Sequence, residues 1–251
     1  MKQRKKTVQK AERETEAENQ VMAKEKIIDS IRKLLLFFLT VLSAAFAAYL
    51  YQKTVYEIAE TVVFTSIAAG GMLFQMAEKE HTENTGRFFL LYLLFLILSV
   101  FFPLIPEGGY PYLAVFTGLM LFSDRMTAMS AGSTLLLISV LLCSDGDAVL
   151  FIMYFVIGMV GVYLFYGLDE SFQVGRPLLC SLLLQFVCLS VWEILLANDG
   201  FSMEMLIVPA FNTLVSLILM VILLKLFSFS IIYRTRDAYM DVNDPECPLL
   251  V

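Results

Sequence analysis

The sequence has one histidine, His81, and one tryptophan, Trp192, in 251 residues. Hydrolytic metal centres and most acid–base devices rest on imidazole, so this chain cannot build a self-contained one. His81 stands in a short charged stretch between two apolar runs and reads as a solvated loop residue. Cysteine is also scarce: Cys143, Cys180, Cys188 and Cys247 form no Cys-x-x-Cys pair, so neither a disulfide framework nor a zinc site is indicated, and they read as small packing residues. No glycine-rich phosphate cradle of the P-loop type and no nucleophile elbow occurs. Catalytic and metal-ligating residues are therefore assigned to none of the positions. Charged residues make up only 17% of the chain, and the formal net charge of -6 hides a cluster of opposite sign. Lys2, Arg4, Lys5, Lys6, Lys10, Arg13, Lys24, Lys26, Arg32 and Lys33 all precede the first apolar run, which marks topology and argues against a nucleic-acid partner.

What the chain does have is hydrocarbon. With 59% apolar residues, 13% aromatics and a mean hydropathy of +0.75, it falls in the membrane class. Backbone amides inside a bilayer must be satisfied within their own segment, so runs of about 17 to 25 apolar residues read as transmembrane helices. Eight are predicted, at 34–51, 58–77, 88–105, 110–122, 127–143, 149–166, 177–197 and 205–233. The expected fold is an all-α, polytopic transmembrane helical bundle of about eight spans, or seven if the short fourth and the fifth form a re-entrant hairpin. A cleaved signal peptide fits the first run poorly, because its charged leader of 33 residues far exceeds a normal n-region.

Lys and Arg are retained in cytoplasmic loops and avoided in short external ones. With the leader inside, the inner loops hold Lys79 and Arg87, then Arg125, then Arg176, and the tail holds Arg234 and Arg236. The outer loops hold only Lys53 among basic residues, with Asp145, Asp147 and Asp199. This alternation predicts a multi-pass cell-membrane protein with both termini in the cytoplasm. Three parts follow: a charged helical leader at 1–33, a transmembrane domain at 34–233 and a cytoplasmic tail at 234–251. Basic groups of the leader close to the membrane would meet anionic headgroups at about 1 kcal/mol each.

Ionisable and strongly polar side chains inside spans are costly, and each is a functional candidate. Glu57 and Glu60 open the second span one turn apart; Glu193 adjoins Trp192 near the outer end of the seventh; Lys225 lies within reach of the inner headgroups in the eighth. Gln185 and Asn212 lie deeper and suit hydrogen bonding between helices, and Pro209 suits a local bend. Small residues that allow close helix approach include Gly70, Gly71, Gly158 and Gly161, with a homo-oligomer interface as an alternative use.

From Tyr110 onward the order of features resembles the membrane region of the seven-transmembrane HD-domain phosphohydrolases, bacterial cyclic di-AMP phosphodiesterases. Pro111-Tyr112-Leu113 opens a span ending in Met120-Leu121-Phe122, followed by Ser123-Asp124-Arg125-Met126-Thr127-Ala128, similar to the family's short basic turn. Gly158-Met159-Val160-Gly161-Val162-Tyr163 resembles its glycine-bearing span, Arg176 its basic residue entering the next, and Val208-Pro209-Ala210-Phe211-Asn212 the start of the last. Asn243-Asp244-Pro245-Glu246-Cys247-Pro248-Leu249-Leu250 resembles the junction into the cytoplasmic HD domain. Family members commonly carry a large extracellular domain after the first span, where this chain has a short loop after Tyr51.

The resemblance implies a membrane sensor or anchor module for a cyclic-dinucleotide phosphodiesterase, with the lipid bilayer and a cytoplasmic HD domain as partners. The cofactors, two metal ions, would belong to that HD domain and none to these residues, so no catalytic residue is carried over. The alternative is a small-solute transporter or channel built on Glu60, Gln185 and Asn212; a scaffold recruiting a partner through 1–33 is a third reading. The resemblance predicts a reading frame, or an immediate neighbour, that continues past Val251 into a His-Asp metal motif; sequencing downstream of that codon checks it.

Overall fold

Proline and glycine placement decides where these apolar runs stop being helical. In the computed structural model, which describes residues 27–77, 85–143, 148–166, 174–196 and 203–242, every regular element among the described residues is helical. The elements are α1 (Ile27–Leu50), α2 (Val55–Ala77), α3 (Thr85–Phe101), α4 (Tyr112–Phe122), α5 (Arg125–Leu142), α6 (Ala148–Phe165), α7 (Gly175–Leu196) and α8 (Ile207–Val242), with short 3-10 turns at Phe102–Leu104, Glu107–Gly109 and Met203–Leu206. Seven of the described helices, all but α4, are long and apolar enough to cross a membrane. His81, the leader as far as residue 26, Asp145, Asp147, Asp199 and the junction at 243–251 lie outside the described residues.

Several helix limits differ from the predicted spans. The segment 27–33, assigned above to the leader, is the first part of α1: neither Gly nor Pro interrupts it, and Asp29 and Lys33 pair across one turn at 2.8 Å. Likewise, α8 continues through 234–242, the first part of the segment assigned to the tail, and its 36 residues extend about 54 Å. Polarity changes at both places while helix-forming capacity does not. Conversely, α3 stops at Phe101, short of 105, because Pro103 and Pro106 remove amide donors.

Contacts between helix ends give the order of passage. At one end, Tyr51 Oη donates to the Val100 carbonyl (2.9 Å), Lys53 Nζ to that of Cys143 (2.6 Å) and Ser139 Oγ to that of Ser99 (2.7 Å). At the other, Lys33 Nζ donates to the Met76 carbonyl (2.8 Å), the Arg125 guanidinium lies over the rings of Tyr163 and Tyr166 (5.1 and 4.9 Å to the centroids), and Phe122 meets Phe227 edge-on. Successive helices therefore alternate in direction, and the start of α1 shares an end with the Phe227 region of α8.

The surface is as apolar as a bilayer requires: Phe38, Phe46, Ile67, Phe74, Ile97, Ile152, Leu183 and Ile218 are each more than half exposed. Polar side chains turn inward instead, among them Thr40, Thr65, Ser99, Ser139, Gln185, Asn212 and Ser216. At the centre runs α4. Its 11 residues reach only about 17 Å, roughly half a bilayer core, and positions 112–119 are all buried among α3, α5, α6 and α8. Glycines bring the neighbours in. The Phe116 ring lies where a Cβ on Gly132 of α5 (2.6 Å) or on Gly158 of α6 would sit, Gly161 faces Leu113 (2.6 Å), and Gly118 of α4 itself lies against Leu223 (2.8 Å) and Phe95. At Gly70 and Gly71 of α2 a Cβ would meet nothing within 4 Å.

The two kinds of glycine separate in a stability measurement. Gly158→Ala drives a methyl into the Phe116 ring and is expected to destabilise by about 1–3 kcal/mol, whereas Gly71→Ala gains helix propensity of up to about 1 kcal/mol. Thermal unfolding in detergent reads both, and equal shifts for the two variants would contradict this packing of α4.

Candidate functional site

The stretch 102–111 between α3 and α4 is irregular backbone that is exposed at Leu104–Pro106 and buried at Phe102 and again at 108–111, where its polar groups have to be satisfied within the bundle. Local turns satisfy some of them: Ile105 N–H donates to the Phe102 carbonyl (2.8 Å) and Gly109 N–H to that of Pro106 (2.7 Å). The carbonyls of Gly108 and Tyr110 are met by one side chain, Asn212 in the second turn of α8, whose amide donates to them at 2.7 and 3.1 Å. Pro209 fits one turn earlier because α8 begins at Ile207 and an amide donor in the first turn has no intrahelical acceptor.

Asn212 is held in turn by α7. Gln185 Nε2 donates to Asn212 Oδ1 (3.0 Å) and to Ser216 Oγ (2.9 Å), and Ser216 Oγ donates to the same Oδ1 (3.3 Å). Tyr154 of α6 closes the ring: its phenol oxygen accepts from Tyr110 N–H (3.1 Å) and lies 3.4 Å from Asn212 Nδ2. Gln185, Asn212, Ser216 and Tyr154 are all fully buried. Gln185 Oε1 alone in this group has no hydrogen-bond partner among the described residues. Glu193, one helical turn beyond Leu189 on α7, presses its carboxylate on Gly108, so that a Cβ there would collide with it.

A second string of polar contacts ties α4 to α5. Tyr112 Oη donates to the Leu135 carbonyl (2.9 Å) and touches Ser139 Oγ, while Tyr110 Oη and Cys143 Sγ are 2.8 Å apart. The rings of Tyr110, Tyr112, Tyr154 and Phe102 pack against one another with centroids 5.3 to 6.3 Å apart. The result is a polar joint sheathed in aromatics, in which α6, α7 and α8 grip the entrance to α4.

Of the residues proposed from sequence, Gln185, Asn212 and Glu193 come together here. Glu57 and Glu60 stand elsewhere. Glu57 caps α2, accepting from Thr54 N–H (2.6 Å) and Thr54 Oγ1 (2.7 Å) as the far member of a Thr-x-x-Glu capping box, with Lys53 at 4.0 Å. Glu60 lies on the exposed side of α2 and Lys225 on the exposed side of α8. The Ser123-Asp124-Arg125 turn has a local purpose as well: Asp124 caps α5, accepting from Met126 N–H (3.1 Å) and Thr127 N–H (3.3 Å). Gly108, Tyr154 and Ser216 were not singled out from sequence, because their part depends on a backbone segment whose course no local pattern announces.

No family model, no curated protein and no solved structure matches this chain. The joint has to be judged on its geometry. It contains amides, hydroxyls and one carboxylate in the arrangement of a structural clasp, with the hydrogen-bonding capacity of Asn212 directed at protein groups.

Removing Asn212 leaves the buried Gly108 carbonyl without a donor at about 1–3 kcal/mol, while the Tyr110 carbonyl keeps the Tyr112 N–H at 2.8 Å. Asn212→Leu is therefore expected to lower stability by about 1–3 kcal/mol and Gln185→Leu by less, and the double variant should fall short of their sum. A double-mutant cycle measured by steric-trap or thermal unfolding checks the coupling; strict additivity would dissolve the clasp.

Proposed function

We propose that this chain is the membrane sensor or anchor module of an HD-type cyclic-dinucleotide phosphodiesterase, seated in the cell membrane with both ends in the cytoplasm. One observation carries the reading: α8 runs without a break from Asn212 in the buried joint to Val242, well beyond its apolar stretch Ile207–Phe229. A continuous helix transmits displacement along its length, so a change in the joint reaches whatever α8 carries. The start of α1 and the Phe227 end of α8 share one end of the bundle, as the loop charges also require of a chain with both termini inside. The likeness of 110–250 to the membrane region of that family supports the same assignment.

In this mechanism the membrane part supplies no bond chemistry. It holds two packings of α6, α7 and α8 around the α4 entrance, and a lipid or membrane input that favours one of them shifts the position of α8. The partner HD domain would hold the two metal ions and hydrolyse cyclic di-AMP. The solute-transport reading draws less support, since Gln185 and Asn212 bond to each other and Glu60 stands apart on α2.

Two measurements test the proposal. A fluorescent protein fused after residue 251 should fold and fluoresce, and alkaline phosphatase fused there should stay inactive. In membranes with the complete reading frame, Asn212→Leu should change cyclic di-AMP turnover at least twofold at equal protein amount. Unchanged turnover with the joint broken would reduce α8 to a passive tether, and absence of any turnover attributable to this locus would remove the phosphodiesterase assignment.

A further inference from the structure

Between α1 and α3 lies a groove of about 350 Å³, walled by Leu39, Ser43 and Phe46 on one side and by Leu93, Ile97 and Phe101 on the other. It opens outward, for Phe46, Ile97 and Phe101 are each more than half exposed. Its walls recur every turn on both helices, which therefore present facing ridges with a channel between them. Ser43 supplies the width: a hydroxymethyl stands where a branched side chain would close the gap, and its hydroxyl is turned away, donating to the Thr40 carbonyl at 2.9 Å.

The groove is pinned open. At its deep end, level with Leu39 and Leu93, Thr40 Oγ1 and Tyr92 Oη are hydrogen-bonded at 3.1 Å; at the other end, Tyr51 Oη donates to the Val100 carbonyl at 2.9 Å. These ties between α1 and α3 fix the helix separation at both ends of the channel, so the walls cannot collapse to fill it.

Depth identifies the occupant. Tyr49 and Tyr56, both largely exposed, mark the headgroup level at this end of the bundle. At about 1.5 Å per residue, Phe46 lies roughly 5 Å and Leu39 roughly 15 Å below Tyr49, which is the hydrocarbon depth of a single leaflet, half of a core of about 30 Å. The deepest wall residues, Leu39 and Leu93, adjoin the Thr40–Tyr92 tie, near the midplane. A second transmembrane helix would need a seam running the full thickness, and water would need polar partners that these walls do not offer. An acyl chain needs neither. The volume exceeds twice the roughly 150 Å³ that admits a benzene-sized guest.

We infer that this groove is a binding site for one acyl chain of a membrane lipid, taken from the leaflet on the side of the α1–α2 turn. The inference stands independently of the phosphodiesterase reading, because it concerns only α1, α3 and the bilayer.

The test is native mass spectrometry of the full chain released from phosphatidylcholine–phosphatidylglycerol nanodiscs. The wild type should keep one lipid through detergent washes that strip the rest. Ser43→Phe fills the channel and should cut the retained fraction at least fivefold, while Ser43→Ala leaves it open and should retain lipid as the wild type does. Should Ser43→Phe fail to give the wild-type elution profile, Ile97→Trp obstructs the exposed rim without entering the core and should produce the same loss. Equal retention in the filled and open variants, no retained lipid on the wild type, or efficient Ser43→Cys disulfide cross-linking of two copies would each overturn the assignment.

Discussion

A buried carbonyl oxygen must find a donor, and at the head of α4 two of them find the same one, the amide of Asn212. Much of the bundle follows from this requirement. Pro103 and Pro106 stop α3 and leave an irregular stretch whose last residues, 108–111, are buried together with the short helix after them. An internal α4 needs neighbours on every side, which the chain supplies as α3, α5, α6 and α8. Gln185 and Tyr154 then keep Asn212 aimed at the backbone, for an amide free to turn would present its oxygen to two other oxygens.

Close approach is the second condition, and it is met at Phe116. Its ring fits between Gly132 and Gly158, so α5 and α6 reach α4 with no side chain in the way. In hydrocarbon there is no hydrophobic gain from pressing apolar helices together, and association rests on contact area and interhelical hydrogen bonds. The two devices are therefore complementary. Glycines and the Phe116 ring give α4 its contact area with α5 and α6, and the polar joint gives it directed bonds to α8 through the residues that precede it.

The membrane class and the positions of the apolar runs were legible from composition and length, since burial in lipid is written directly as hydrophobicity. The limits of α1 and α8 were less so, because polarity ends a span without ending a helix: 27–33 and 234–242 are polar in part yet contain no residue that breaks the helix. Gln185 and Asn212 stood out as polar residues deep in apolar runs, whereas their partners did not. Gly108 and Tyr110 act through backbone carbonyls, and a carbonyl carries no sequence signature. The Thr54-Val55-Tyr56-Glu57 capping box was readable in principle, but a carboxylate at the edge of a span drew attention to the bilayer and away from the helix start. Gly118 and Gly132 matter only through what faces them, which a linear pattern does not contain.

Gln185 Oε1, without a partner among the described residues, bears on how α8 could shift against the joint. Turning the amide over does not help, because Oε1 would then face the Asn212 oxygen it now avoids. Moving α8 by one turn toward its own start would present Ser216 and Met220 to Gln185 in place of Asn212 and Ser216, and would carry the Asn212 amide away from Gly108 and Tyr110. The Gly108 carbonyl would then need another donor, so the irregular stretch must rearrange together with α8 or oppose its movement. Displacement of the long helix would therefore require a matching change at the α4 entrance, since the Asn212 amide joins the two.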